Sequence, residues 1–281
     1  MRRSPSVNLR LVLGLAILAL LAAAAAGAGI VQQMLGHDPF APDLFQRYGE
    51  ASADHPLGTD ELGRDILLRL LHGGRVSLAV GLGVALGATL LGTGIGLLAA
   101  WRGGWMEAVL MRLADGLLAL PALPLLVVLA AVDTGRFGLP RGEAVADIAR
   151  ITLILMLFGW VGVARLARAA ALTQLSLDYV AAARVSGATE ARVLLRHVLP
   201  NIASPIAVAT ALAVAGAVLA ESTLSFLGLG IQPPAPSWGN MLANAQEMIF
   251  AAPWTAFWPG LAILLTVTAC SLVADGIRLR R

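Results

Sequence analysis

Apolar residues in this chain gather into long uninterrupted runs, near residues 11–31, 76–100, 109–132, 148–166, 202–227 and 255–275. Each comes close to or exceeds the roughly 20 residues a helix needs to cross the hydrocarbon core of a bilayer. In lipid every backbone N–H and C=O must find a partner inside its own segment, so the runs predict helices. The reading is an all-α, polytopic membrane protein with about six transmembrane helices, and six crossings return both ends to one side. The first run closes in AAAAAGAG and is longer than the roughly 7–15-residue core of a secretory signal, which predicts a retained anchor. The chain divides into residues 1–34 (N-terminal arm and first helix), 35–75 (a segment on the opposite side with an interfacial helix) and 76–281 (the core, with a connecting loop at 167–201).

The segments between the runs carry patterns of their own. In YVAAARVSGATEARVLLRHVLPN (179–201), Ala188, Ala191, Leu195 and Val198 recur at helical spacing, with Thr189, Arg192 and Arg196 on the other side. This predicts a short amphipathic helix from Ala188 to Val198. Gly187 before it suits a tight turn or a close backbone approach, and Pro200, lacking an N–H, suits the start of the next crossing. In HPLGTDELGRDILLRLLHGGRVSL (55–78), Thr59 is available as an N-cap and Ile66, Leu67, Leu70 and Leu71 share a face, which predicts an interfacial helix. The prolines of QPPAPSWGNMLANAQEMIFAAPW (232–254) forbid continued helix, and Trp254 and Trp258 suit the membrane boundary. Inside the second run, Gly83, Gly87, Gly92 and Gly96 form two GxxxG pairs, the spacing that lets helix backbones approach in lipid.

Composition narrows the class. The chain is 58% hydrophobic and 13% charged, with a mean hydropathy of +0.80, whereas globular domains carry about a quarter charged residues. All 20 basic residues are arginine and the net charge is only +3, so no basic arm exists for nucleic acid. Their placement sets sidedness: 13 of the 20 fall on the side of the termini and of residues 167–201, among them Arg2, Arg3, Arg10, Arg165, Arg168, Arg280 and Arg281. The other side holds Arg47, Arg64, Arg69, Arg75, Arg136, Arg141 and Arg150. By the excess of arginine in cytoplasmic segments, both termini and the 167–201 loop are expected in the cytoplasm.

The missing residues exclude chemistry. Without lysine there is neither a phosphate-binding GxxxxGK[ST] loop nor a lysine Schiff base. His37, His55, His72 and His197 are scattered, and neither HExxH nor GxSxG occurs. Cys270 lies within an apolar run and reads as a buried small hydrophobe. No catalytic, cofactor or metal residue is assigned. Asp115, Glu221 and Asp275 are the acids inside or near the spans, where ionisable groups call for a role. Asp115 and Asp275 suit solvated helix ends. Glu221 is deeper and, with Ser222, is either a hydrogen-bonded packing residue or part of a pathway or gate.

At residues 179–201 the sequence resembles the inner-membrane permease subunits of ABC importers. Their cytoplasmic signature of EAA, three residues, Gly, nine residues, Ile, one residue, Leu-Pro aligns with Ala181, Ala182, Ala183, Gly187, His197, Leu199 and Pro200. Ala181 stands in place of Glu and His197 in place of Ile. The stretches His55–Leu78 and ESTLSFLGLGIQPPAPSWGNML (221–242) resemble the C-type dipeptide and oligopeptide branch. The resemblance implies a MetI-like permease fold in a bacterial inner membrane and a second permease subunit as partner. It also implies two cytoplasmic ATPase subunits that bind the ATP and Mg, and an extracytoplasmic solute-binding protein. Residues 181–183, Gly187, Arg192, Arg196, His197, Leu199 and Pro200 would then couple the chain to the ATPases. The other readings are a secondary transporter, which would show inverted repeats or paired broken helices, or a membrane-embedded enzyme using the three acids. The solute, whether dipeptide, oligopeptide, nickel chelate or glutathione, is not written in the sequence.

Overall fold

The computed structural model describes residues 8–132, 143–243, 250 and 252–279. The helices are α1 (Leu9–Ala26), α2 (Ala28–Leu35), α3 (Ile66–Arg102), α4 (Gly104–Ala119), α5 (Ala122–Ala131), α6 (Ala144–Leu175) and α7 (Asp178–Val185). Then follow α8 (Glu190–Arg192), a π turn (Val193–Val198), α9 (Leu199–Phe226) and α10 (Trp254–Arg278). Five stretches are long and apolar enough to cross a membrane, and α4 with α5 makes a sixth if that bent pair counts as one span. Arg2, Arg3, Arg136, Arg141, Arg280 and Arg281, part of the sidedness expectation, lie outside the described residues.

Three boundaries differ from expectation, each for a local reason. The third run is split, its halves bent by 86°. A residue before proline is driven out of the helical region, and Leu120, preceding Pro121, sits at φ −82°, ψ 140°. The interfacial helix expected near residue 60 is instead the first turns of α3, which runs unbroken for 37 residues. Its N-cap is Asp65, whose Oδ1 accepts from the Leu68 amide at 2.8 Å. Thr59 is occupied elsewhere: its hydroxyl accepts from the Gly49 amide and donates to the Gln46 carbonyl. Gly73 and Gly74 do not break the helix, because their bare faces receive Ser237 and Trp238, at 3.3 and 3.1 Å from where a Cβ would stand.

The third difference is the segment 188–198. It is no separate helix, since α8, the π turn and α9 form one continuous 37-residue stretch that includes the fifth crossing. Its apolar side is Val193, Leu194 and Val198, all buried, whereas Leu195 is 64% exposed and Ala191 is also exposed. Of the four positions expected on that face, Val198 and Ala188 do pack against the core, while Leu195, within the wider π turn, is displaced from it and Val193 and Leu194 take its place.

Glycine governs how the spans approach. On α3 a Cβ at Gly92 would stand 2.7 Å from the Val163 Cβ, and one at Gly96 2.8 Å from the Ala167 Cβ, so both GxxxG partners of the second pair seat α3 directly on α6. Gly83 and Gly87 face Thr152 and Met156 of the same helix. At the other side of the bundle Gly276 receives Leu11, and Asn8 Nδ2 donates to the Gly276 carbonyl at 2.6 Å. The first and last described helices therefore meet at one end, called here the near end. Residues 36–65 and the loop after α9 form the far end. Cys270 is buried. Asp275 pairs with Arg10 (3.5 Å) at the near end, and Asp115, toward the other end of α4, pairs with Arg165 (3.3 Å) within α6, all four side chains about half exposed. The Asp275–Arg10 pair at the helix ends contributes at most about 1 kcal/mol, as expected of a solvated helix end.

Candidate functional site

At the near end the chain leaves α6 at Ser176, forms the two-turn helix α7, reverses at Gly187 and re-enters the bundle through α8. The reversal needs a left-handed residue: Gly187 has φ +84°, and its amide and that of Ala188 return to the Arg184 and Ala183 carbonyls. A Cβ at Gly187 would meet nothing within 4 Å, so of the two roles the sequence allowed this glycine the turn is the one observed. Thr189 caps α8, accepting from the Arg192 amide at 3.4 Å. Arg184 donates to Glu190 through Nε at 2.9 Å and Nη2 at 3.1 Å, a two-pronged bridge across the turn.

The arm is anchored to the bundle on its inner side. Val180 packs with Val193, Val198, Ala171 and Ile202, all buried. Beside this apolar seat lies a polar one. Pro200 has no N–H and its ring crowds the carbonyl four residues back, which an ordinary α turn cannot relieve. The helix widens into the π turn immediately before it. The His197 carbonyl there accepts from Asn201 Nδ2 at 2.7 Å and from the Tyr179 hydroxyl at 3.5 Å, while the Tyr179 hydroxyl reaches Gln174 Oε1 at 2.8 Å. One small network thus ties together α6, α7, the π turn and α9. The residues singled out from sequence are divided by it. Ala181, Ala182, Gly187, Arg192, Arg196 and Pro200 are exposed; Ala183, His197 and Leu199 are half-buried against the bundle. The contributions of Tyr179 and Asn201 carried no sequence signal beyond their being polar beside the motif.

Glu221, near the far end of α9, is fully buried. It accepts from the Ser77 hydroxyl at 2.9 Å and the Ser225 hydroxyl at 2.7 Å. Ser77 in turn accepts from the Trp238 amide and Ser225 from the Ile231 amide, so the carboxylate fastens α3 and α9 to the loop that follows. Ser222 is buried alongside, its backbone directly beneath Gly239. The hydrogen bonds to Ser77 and Ser225 hold Glu221 within the bundle in this conformation.

A second fastening escaped the sequence reading, which counted Arg150 only toward sidedness. Asp147 and Arg150, one turn apart at the start of α6, are both buried and lie 3.2 Å apart. Arg150 donates to the carbonyls of Gly230 (2.9 Å), Ala130 (3.3 Å) and Leu229 (3.4 Å), and Asp147 accepts from the Gln232 amide at 3.1 Å. Asn240 closes the same loop internally, donating to the Ala235 and Ile231 carbonyls. Stretch 227–243 is therefore a cap locked on the far end of α6 and α9.

Apolar spans held by glycine seams, an arm seated on one end and a locked cap on the other are the architecture of an integral-membrane protein. The chain belongs to the family of binding-protein-dependent transport system inner membrane components, whose model matches residues 92–279. It is the permease subunit of an ABC importer. Among its relatives is the di/tripeptide transport system permease protein DppC of Pseudomonas aeruginosa (strain UCBPP-PA14), 43% identical over 222 residues, or 79% of this chain and 70% of that protein. The dipeptide permease DppC of Escherichia coli K12 is 41% identical over 85% of this chain and 75% of its own length. The glutathione permease GsiD of Pectobacterium atrosepticum is 38% identical over 83% and 74%. Among solved structures, an inward-facing conformation of the MetNI methionine ABC transporter superposes with a TM-score of 0.60 over 75% of this chain and 96% of that one. At 17% identity that likeness establishes the shared fold.

Proposed function

We propose that this permease carries dipeptides or oligopeptides into a bacterial cell across its inner membrane by alternating access. In this reading it pairs with a second permease subunit. Two ATPase subunits, which hold the ATP and Mg, seat on the near end, and a solute-binding protein delivers at the far end. The observation that carries the proposal is the near-end arm. It presents exposed residues outward and is tied to two spans at its base. A displacement applied to such an arm moves α6 and α9 as a body, where a loose loop would absorb it. The chain itself then needs no cofactor.

The direct test is uptake into proteoliposomes holding the assembled importer, with the solute-binding protein outside and ATP inside. Peptide accumulation that requires hydrolysis is expected, with only background ATPase activity from the permease subunits alone. Hydrolysis by this chain, or uptake without any ATPase, would replace the reading with another.

Sidedness has its own measurement. Val185 on α7 is 90% exposed and Phe45 at the far end is fully exposed, while the single native cysteine, Cys270, is buried and silent. With a membrane-impermeant thiol reagent on intact cells, Phe45→Cys should label and Val185→Cys should label only after the inner face is opened. The opposite pattern would invert the topology.

A further inference from the structure

The side chains of Asp115 and Arg165 meet at 3.3 Å and are 59% and 55% exposed, yet both belong to spans. Ala114 and Ala164, the residue before each, are fully buried in one cluster with Ala88 and Trp160. Ala88 is the middle residue of the apolar run 76–100. Gly96, seated on Ala164, is six residues or about 9 Å short of the end of α3 at Arg102. The pair is therefore level with the apolar run of α3, on the outward side of α4 and α6.

Charges at that depth face protein or water, because lipid does not repay their desolvation. An arginine can stretch its stem toward the surface; an aspartate, on one methylene, cannot. Against a second subunit packed over the pair stands the cost of dehydrating both ions, several kcal/mol each, for two charges that already satisfy one another. A water-filled solute pathway leaves the exposed half of each side chain hydrated. The surrounding surface agrees. Gly116, beside Asp115, and Gly162, one turn before Arg165, are exposed, and a Cβ at either would meet nothing within 4 Å. Room is left next to the pair for a molecule that is not part of this chain.

We propose that Asp115 and Arg165 form a station on the solute pathway that takes the two charged ends of a short peptide, the ammonium on Asp115 and the carboxylate on Arg165. This rests on the importer reading. An acid and a base presented together, with no net charge, complement a zwitterion better than a lone cation or anion. Contacts that stay half hydrated are also weak enough to let the solute leave, which a conduction path requires.

The test uses the assembled importer in nanodiscs, where both faces are open to reagents, with Gly162→Cys as the reporter; the native Cys270 is buried. A charged thiol reagent reacts only where water reaches, so the reporter should label. Alanyl-alanine should slow that labelling, and its N-acetyl amide, which carries neither charge, should need about fivefold more for the same effect. On the reporter background, Asp115→Asn should erase the advantage of the free ammonium, measured against N-acetyl-alanyl-alanine. Arg165→Gln should erase that of the free carboxylate, measured against alanyl-alanine amide. Co-purification controls for assembly. An unlabelled reporter would mean that lipid or the second subunit covers this face, and would overturn the proposal. Equal protection by charged and capped peptides would overturn it too, and that comparison needs the reporter alone should neither charge variant assemble. Advantages that persist in assembled Asp115→Asn and Arg165→Gln would remove the pair from recognition. ATP-driven uptake of alanyl-alanine by the Gly162→Cys importer in proteoliposomes shows separately whether the importer reading stands.

Discussion

Arg150→Ala is expected to loosen the far-end cap and to lower stability by about 3–5 kcal/mol, the usual consequence of removing one partner from a buried ion pair. The loss has two parts. Asp147, buried beside it, would lose the Arg150 ion pair, and the carbonyls of Gly230, Leu229 and Ala130 would lose a donor in a region closed to water. Because Glu221 fastens the same loop from the other side through Ser225 and Ser77, the cap should loosen rather than detach. The measurement is thermal unfolding of the purified importer together with protease sensitivity near residues 227–243. The double replacement Asp147→Asn with Arg150→Gln should recover much of the loss, since it removes both charges and keeps polar atoms in place. A single variant as stable as the wild type would mean that the cap is held by its internal bonds alone.

Gly187→Val should separate hydrolysis from transport. The position is open, so the side chain itself meets nothing; the cost lies in the backbone, where φ of +84° is unfavourable for most L-residues by about 1–2 kcal/mol, less for Asn and more for a β-branched one. The turn would relax toward negative φ, the Arg184–Glu190 bridge across it would be lost, and α7 would swing on its seat. Expected outcomes are normal insertion and assembly, and peptide moved per ATP hydrolysed reduced by about tenfold, the rate equivalent of that energy. Gly187→Asn, which tolerates the left-handed region, should stay near wild type. Uptake and hydrolysis both unchanged in the valine variant would remove the arm from the coupling path.

The spans and the near-end motif were legible in the sequence because their signals are local. Twenty apolar residues mean a helix in lipid whatever surrounds them, and the spacing from Ala181 to Pro200 survives without its glutamate. What was not legible depended on contacts between distant residues. Nothing near Gly73 and Gly74 shows that Ser237 and Trp238 lie against them, so the long α3 looked like two helices. Asp147 and Arg150 read as ordinary charges at a helix start until their partners, more than 75 residues later, are seen. The π turn misled at Leu195 alone, because amphipathic periodicity assumes a constant pitch and the wider turn before Pro200 changes it, while Ala188 and Val198 still reach the core. The break at Leu120 was visible in principle, since Pro121 stands in the middle of the run, but an apolar count does not register it.

That π turn makes the arm's heading a matter of one residue. An α-helix turns by about 100° for each residue added, so removing a single position between Val193 and Val198 would restore ordinary pitch, leave the fifth crossing its length and apolarity, and point α7 toward a different quarter of the membrane plane. The membrane would tolerate the shortened chain; only the partner meeting the arm would register the change. Length in that stretch therefore sets an angle, the heading of the arm, where elsewhere along the span it sets only a depth.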